Sequence, residues 1–157
     1  MVVVLWNQNL EIMEKVINTK EERIFLDSLK DIVKSARKYA YSSICFAQVQ
    51  SNWMLGKRIV EQIQKGNDKA EYGKHILKIT SESLTEEFGK GYDESNLRYM
   101  RLFYKTFPIC DALRHELSWT HYRRLLSIEN EDARIWYMNE AANSMWSTRQ
   151  LDRFKIR

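Results

Sequence analysis

The sequence predicts an all-α fold of about seven helices, and three observations predict it. Apolar residues recur at steps of three and four along most of the length. Capping residues head one segment after another. Strand signals are nearly absent: one Pro and five Gly in 157 residues leave little material for hairpins. No Asn-Gly or Asp-Gly turn occurs, and the valines of Met1–Leu5 are the one exception.

Residues 1–18 mix apolar and polar side chains and read as a short helix. From Arg23 to about Gln64 the helical period is sustained, with Leu29, Val33, Ala36, Ala40, Ile44, Ala47, Ser51 and Met54 in one row. This is one long helix, or two end to end with a break near Gly56. A helix of about 40 residues runs roughly 60 Å, more than a compact domain of this size needs. It therefore either folds back near Trp53–Gly56 or pairs with another chain. Lys65-Gly66-Asn67 is a turn, and Asp68 with Glu71 has the form of a capping box. Thr85, Asp93, Ser118, Asn130 and Ser147 stand where helix caps belong, and Ser147 with Gln150 forms a second box. The expected organisation is a helical extension over 1–66 and a helix-turn-helix domain over 67–157.

Residues 83–107 are the most informative stretch. A helix ends at Gly89, Gly89-Lys90-Gly91 makes a tight turn, and Asp93 opens a second amphipathic helix. Two helices joined this way have the sequence form of a helix-turn-helix, whose second helix lies in the DNA major groove. On a helical wheel Leu97, Met100, Phe103, Tyr104 and Phe107 share one arc; Glu94, Ser95, Arg98, Leu102 and Lys105 share the opposite one. Tyr99 and Arg101 fall on the borders. The guanidinium fork of arginine matches the two acceptors on the major-groove edge of guanine. The helix start near Tyr92–Ser95 offers backbone N–H groups to a phosphate.

Charge is spread unevenly. Lys and Arg number 25 against 21 Asp and Glu, a net charge of +4, and the pI is about 9.0. Residues 88–128 hold seven bases and four acids, and four of the last nine positions are basic. Leu117–Leu126 reads as a capped helix with Trp119, Tyr122, Leu125 and Leu126 inward and His121, Arg123 and Arg124 toward solvent. The terminal pair of helices presents the row Arg149, Arg153, Arg157. Each basic face is equally the form of an ordinary solvated helix surface.

Cys45 and Cys110 lack metal-ligand spacing and read as reduced thiols in a cytoplasmic protein. Nothing approaches a membrane span or a signal peptide. No GxSxG, HExxH, P-loop or CxxC occurs, and no Asp or Glu precedes a Lys by two positions, as a PD-(D/E)xK nuclease requires. No catalytic residue, metal site or cofactor is expected of this chain.

The blocks Asn52–Val60, Ala70–Gly73, Leu84–Tyr92, Asn96–Tyr104, Leu117–Tyr122 and Trp146–Leu151 resemble the N-terminal domain of the YhcG family of bacterial proteins. That resemblance implies a DNA-binding helical domain followed by a PD-(D/E)xK nuclease domain. The sequence ends at Arg157 without the nuclease domain, so nuclease activity is not carried over. The order of segments also resembles the helix-turn-helix domain of ParB/KorB, which places Ser95, Asn96 and Arg98 at the groove-reading end.

The expected function is a helix-turn-helix domain that targets a nuclease domain, absent from this chain, to duplex DNA. Ser95, Arg98, Tyr99 and Lys105 approach base edges. Asn96 joins them by resemblance. Lys90, Tyr92, Arg101, His121, Arg123, Arg124, Arg149 and Arg153 are phosphate contacts. The expected partners are double-stranded DNA, the C-terminal nuclease domain and a second copy through residues 23–64, with no membrane. The alternative is a helical protein-interaction or dimerisation module that makes no direct DNA contact.

Overall fold

The computed structural model describes the backbone of residues 2–66 and 69–155, and side chains from residue 19 within those ranges. Its described residues form six α-helices and one short 3-10 turn, with no strand. The helices are α1 (Val2–Lys65), α2 (Ala70–Phe88), α3 (Glu94–Thr106), α4 (Trp119–Leu125), α5 (Glu131–Asn143) and α6 (Thr148–Phe154); the 3-10 turn is Cys110–Ala112. The all-α expectation holds. Contacts divide the chain into two compact units, Met1–Tyr41 and Ser42–Arg157.

In the first unit every described side chain is exposed, including the apolar Phe25, Leu26, Leu29, Ile32 and Val33. Short-range ion pairs brace the helix there: Lys30 to Asp27 at 3.0 Å and Lys34 to Asp31 at 3.3 Å. Both pairs are solvent-exposed and contribute little each.

In the second unit the remaining part of α1 is a core element. Its buried face is Val49, Asn52, Trp53, Gly56, Ile59, Val60 and Ile63. The row read from the sequence, continuing as Ile44, Ala47, Ser51 and Met54, is exposed. Two apolar rows run along this helix, and the one carrying the Trp and the larger β-branched residues is the one its own core takes up.

No break occurs near Gly56, because α1 is helical throughout Val2–Lys65. Gly56 serves a close approach instead: a Cβ there would overlap the Met100 carbonyl. Beside it the Trp53 indole Nε1–H donates to the Phe107 carbonyl at 2.7 Å, and its ring meets Tyr104 edge-on. Glycine and tryptophan together lay α1 directly on α3.

Two groups of buried side chains make the core. One gathers Ile59, Ile63, Ile76, Leu77, Leu97 and Met100 from α1, α2 and α3. The other joins Val49, Trp53, Phe103 and Phe107 to Leu113, Leu117, Tyr122, Leu125, Tyr137, Met138 and Leu151. Tyr122 is fully buried, and its hydroxyl accepts the Arg114 backbone N–H at 2.7 Å. Burial pushes its phenol well above the ordinary range, so it stays protonated.

The caps explain where the helices start. Asp93 accepts from the Asn96 N–H at 3.0 Å and Asn130 from the Ala133 N–H at 2.8 Å. Ser147 and Gln150 form the expected reciprocal box. Thr85, expected to cap a helix, lies inside α2, and its carbonyl accepts the Gly89 N–H at 3.0 Å. The expected Asp68–Glu71 box involves Asp68, which lies outside the described residues. α2 and α3 are joined through Gly89 and Gly91, at φ 82° and 112°. An added Cβ would touch nothing at either glycine, so backbone conformation alone requires them.

Gly56 and Gly73 separate space from conformation. A Cβ at Gly73 would meet only Ile63 methyls at 3.7 Å, an ordinary contact. We expect Gly73→Ala to be neutral or to stabilise by up to about 1 kcal/mol, since alanine favours the helix. Gly56→Ala should cost about 1–3 kcal/mol or more through overpacking against backbone. Urea denaturation followed by tryptophan fluorescence reads both.

Candidate nucleic-acid interface

The buried face of α3 fixes what the helix presents outward. Leu97, Met100 and Phe103 are fully buried, so the residues opposite them on the wheel must face solvent. Ser95, Arg98, Leu102 and Lys105 are exposed, as the periodicity requires. Arg98 lies along the helix surface with its guanidinium 2.9 Å from Glu94, four residues back. That pair is largely solvated, worth well under about 1 kcal/mol, and opens at little cost.

Two basic flanks border this ridge. On one side Arg101 and Lys105 share a cavity of about 410 Å3 with Lys69 and Lys74 of the α2 start, over a floor of Val60, Ile63 and Gly73. The Arg101 Nε is shut off from solvent without a hydrogen-bond partner among the described residues. On the other side Tyr99, Thr120, Arg123 and Arg124 line a smaller recess of about 200 Å3. The Arg123 guanidinium sits over the Tyr99 ring, 4.3 Å from its centroid, a cation–π contact that holds the charge at the α3–α4 seam. Arg124 is drawn aside by Asp152 at 3.3 Å.

Other expected contacts have different employment. Asn96 donates to the Gly91 carbonyl at 2.6 Å and accepts the Trp119 indole N–H at 3.1 Å. Its amide ties the glycine turn to α4. His121 is placed by two demands. Its Nδ1 accepts from the Ser118 N–H at 3.2 Å and its Nε2–H donates to the Trp146 carbonyl at 2.9 Å. It therefore closes the α4 cap and pins the α5–α6 connection, where solvent was expected. The start of α3 also differs: Asp93 fills the cap position and Glu94 follows. Two carboxylates there oppose a phosphate.

Lys90 is exposed in the turn, and half-buried Tyr92 packs edge-on to Phe88, their centroids 6.2 Å apart. Both line a third cavity, of about 480 Å3, with Trp119 and Gln48. Arg149 and Arg153 are exposed on α6 and line neither of the cavities that flank α3. Arg157, the end of that row, lies outside the described residues. Lys69 and Lys74 escaped sequence reasoning because they sit on the helix before the turn. Their only signal was spacing, five residues apart beside a glycine. Among the described residues, no His, Cys, Asp or Glu cluster of three could hold a metal, and no helix is long and apolar enough to cross a membrane.

The internal role of Asn96 has a measurable consequence. Asn96→Ala leaves a half-buried indole N–H and the Gly91 carbonyl unpaired, and should cost about 1–3 kcal/mol. Exposed Ser95→Ala, one residue away, should stay within about 0.5 kcal/mol. Thermal unfolding of the two variants is the check.

Residues 28–156 match the family model described as the DUF1016 N-terminal domain. A relative from Escherichia coli (strain K12), named "Putative nuclease YhcG", is 30% identical over 159 aligned positions, covering 81% of this chain and 42% of that protein. The chain thus spans less than half of that relative's length. No solved structure matches it. The chain belongs to the DUF1016 N-terminal domain family.

Proposed function

We propose that residues 67–157 form a DNA-binding helix-turn-helix domain, with α2 and α3 as its two helices and α3 in the major groove. One observation carries this reading: Arg98 and Lys105 are exposed on α3, and cations from α2 and α4 stand on both sides of the same helix. A double-stranded polyanion fits that arrangement, because a central helix enters the groove while flanking cations reach the two phosphate ridges. Arg98 and Ser95 face the bases. Arg123 on Tyr99 supports one backbone, with Arg124, Lys90 and Arg149 and Arg153 as outlying positive charge. Asn96 and His121 hold the scaffold. The name of the Escherichia coli relative speaks of a nuclease, and we take the domain's task to be delivering such a nuclease domain to duplex DNA in the cytoplasm, without itself carrying catalysis.

Duplex binding at two salt concentrations tests this. With several phosphates neutralised, log Kd should rise steeply with log salt, by about 0.9 per phosphate. Arg98→Ala/Lys105→Ala should weaken binding tenfold or more at 100 mM salt while the circular dichroism stays unchanged. A flat salt response, or no binding at 50 mM, rejects the reading.

A second observation favours association through residues 23–64. Leu26, Leu29 and Val33 form an exposed apolar row with the small Ala36 and Ala40, and the sequence continues it through Ile44, Ala47 and Met54, also exposed. Such a row is self-complementary, and its small residues let two helices approach closely. The partner in this reading is a second copy, consistent with the paired recognition helices of dimeric DNA-binding proteins. Light scattering should give twice the monomer mass, and Leu29→Asp/Val33→Asp should return the monomer with the Ser42–Arg157 unit still folded.

A further inference from the structure

The cavity beside α3 gathers more cations than either of the other two cavities described above. It is lined by Lys69, Lys74, Arg101 and Lys105, with no carboxylate among its described lining residues. Eight other bases, Lys30, Lys34, Lys57, Arg58, Arg98, Arg114, Arg124 and Lys155, each stand within 4.0 Å of an acid. Four cations lining one cavity with no acid among its described lining residues make it electropositive. Arg101 also lines the cavity. Its Nε is shut off from solvent and has no acceptor among the described residues, and a guanidinium binds an anion through charge-assisted hydrogen bonds.

The walls bring positive charge from two helices. Lys69 stands at the N-cap of α2 and makes no side-chain cap, and Glu71 is the acid of that helix's first turn. Gly73 lines the floor without a side chain to fill it. Lys69 and Lys74 approach from α2, Arg101 and Lys105 from α3, so the cations come from two helices that the Gly89–Gly91 turn holds in place.

We propose that this cavity is a phosphate seat, in which one backbone phosphate of the bound duplex is clamped between the start of α2 and the last turns of α3. The proposal rests on the DNA-binding reading above and deepens it. Arg101 and Lys105 turn to the backbone, Lys69 and Lys74 join the interface, and base readout is left to Ser95 and Arg98. Held on this flank, a phosphate sets how deeply α3 enters the groove, and does so without regard to sequence.

The test uses the whole chain, a fluorescent duplex and inorganic pyrophosphate. Lys69→Gln/Lys74→Gln, both on exposed side chains, should weaken duplex binding about three- to tenfold at 100 mM salt. The slope of log Kd against log salt should fall by about 0.9, one phosphate's share, with the preference between two duplex sequences unchanged. Pyrophosphate should shift the Gly73 amide and Arg101 Nε–H resonances of the wild type and leave those of the variant in place. A duplex bound equally well by both proteins with the same salt slope overturns the seat while the DNA reading stands. No duplex binding by the wild type, with pyrophosphate shifts that the variant loses, overturns the DNA reading and the duplex phosphate as occupant, leaving a site for a free phosphate. Absence of both overturns both.

Discussion

The contact of α1 with α3 at Gly56 and Met100 is the constraint on which the other packing depends. A glycine in mid-helix costs about 1 kcal/mol against alanine, yet any larger residue would drive the two backbones apart. With that contact made, Trp53 reaches the Phe107 carbonyl, which ends α3 at a defined height. Phe103 and Phe107 then stand in the second core group against Tyr122, with ring centroids 4.9 and 5.5 Å away. The position of α4 is thereby set by α3, and α3 by α1.

Burying one side of α3 completely leaves no freedom on the other. Leu97, Met100 and Phe103 cannot rotate out of the core without opening three large contacts, each worth about 1.5–3 kcal/mol of apolar burial. Arg98, Leu102 and Lys105 are outward for the same reason that those three are inward. The seam with α4 is held by polar contacts instead. Asn96 receives the Trp119 indole, and His121 bridges the Ser118 cap to the Trp146 carbonyl. Met145, at φ 51°, allows the chain to turn sharply just before that carbonyl. Polar side chains of the α3–α4 surface therefore divide between those that hold the frame and those that face away from it.

Periodicity made the all-α class and the course of α3 legible in the sequence, because a strongly amphipathic helix with a capping Asp admits one orientation. The glycines on either side of Lys90 were legible for the same local reason: two positive φ values leave few alternatives to glycine. In α1 periodicity was ambiguous. Two rows of apolar residues compete, and only the close approach at Gly56 decides which one the core uses. A glycine flanked by helical residues was open to reading as a break, since its partner, the Met100 carbonyl, is 44 residues away in sequence and leaves no local trace. The roles of Asn96 and His121 were hidden similarly. Both are polar residues on a basic surface, and only their distant partners, Trp119 and Trp146, distinguish scaffold from contact. Lys69 and Lys74 join Arg101 and Lys105 only through the folding of α2 onto α3.

The charges of α3 divide by what helix stability alone requires. Glu94 in the first turn and Lys105 in the last both complement the helix dipole, and each would favour the helix in any surroundings. Arg98 with Glu94 is an ordinary pair along the surface, of the kind α1 also makes between Arg58 and Glu61 at 2.7 Å. Arg101 follows from neither rule. It stands mid-helix, lines a cavity together with Lys69 and Lys74, and keeps its Nε buried without a hydrogen-bond partner among the described residues. Solubility would be served as well by a lysine reaching into water, and packing by a leucine on the border of the apolar arc. Among the helix's cations, Arg101 is thus the one whose Nε is buried without a partner among the described residues. In the reading proposed above, a phosphate entering the cavity supplies its guanidinium with a counter-charge.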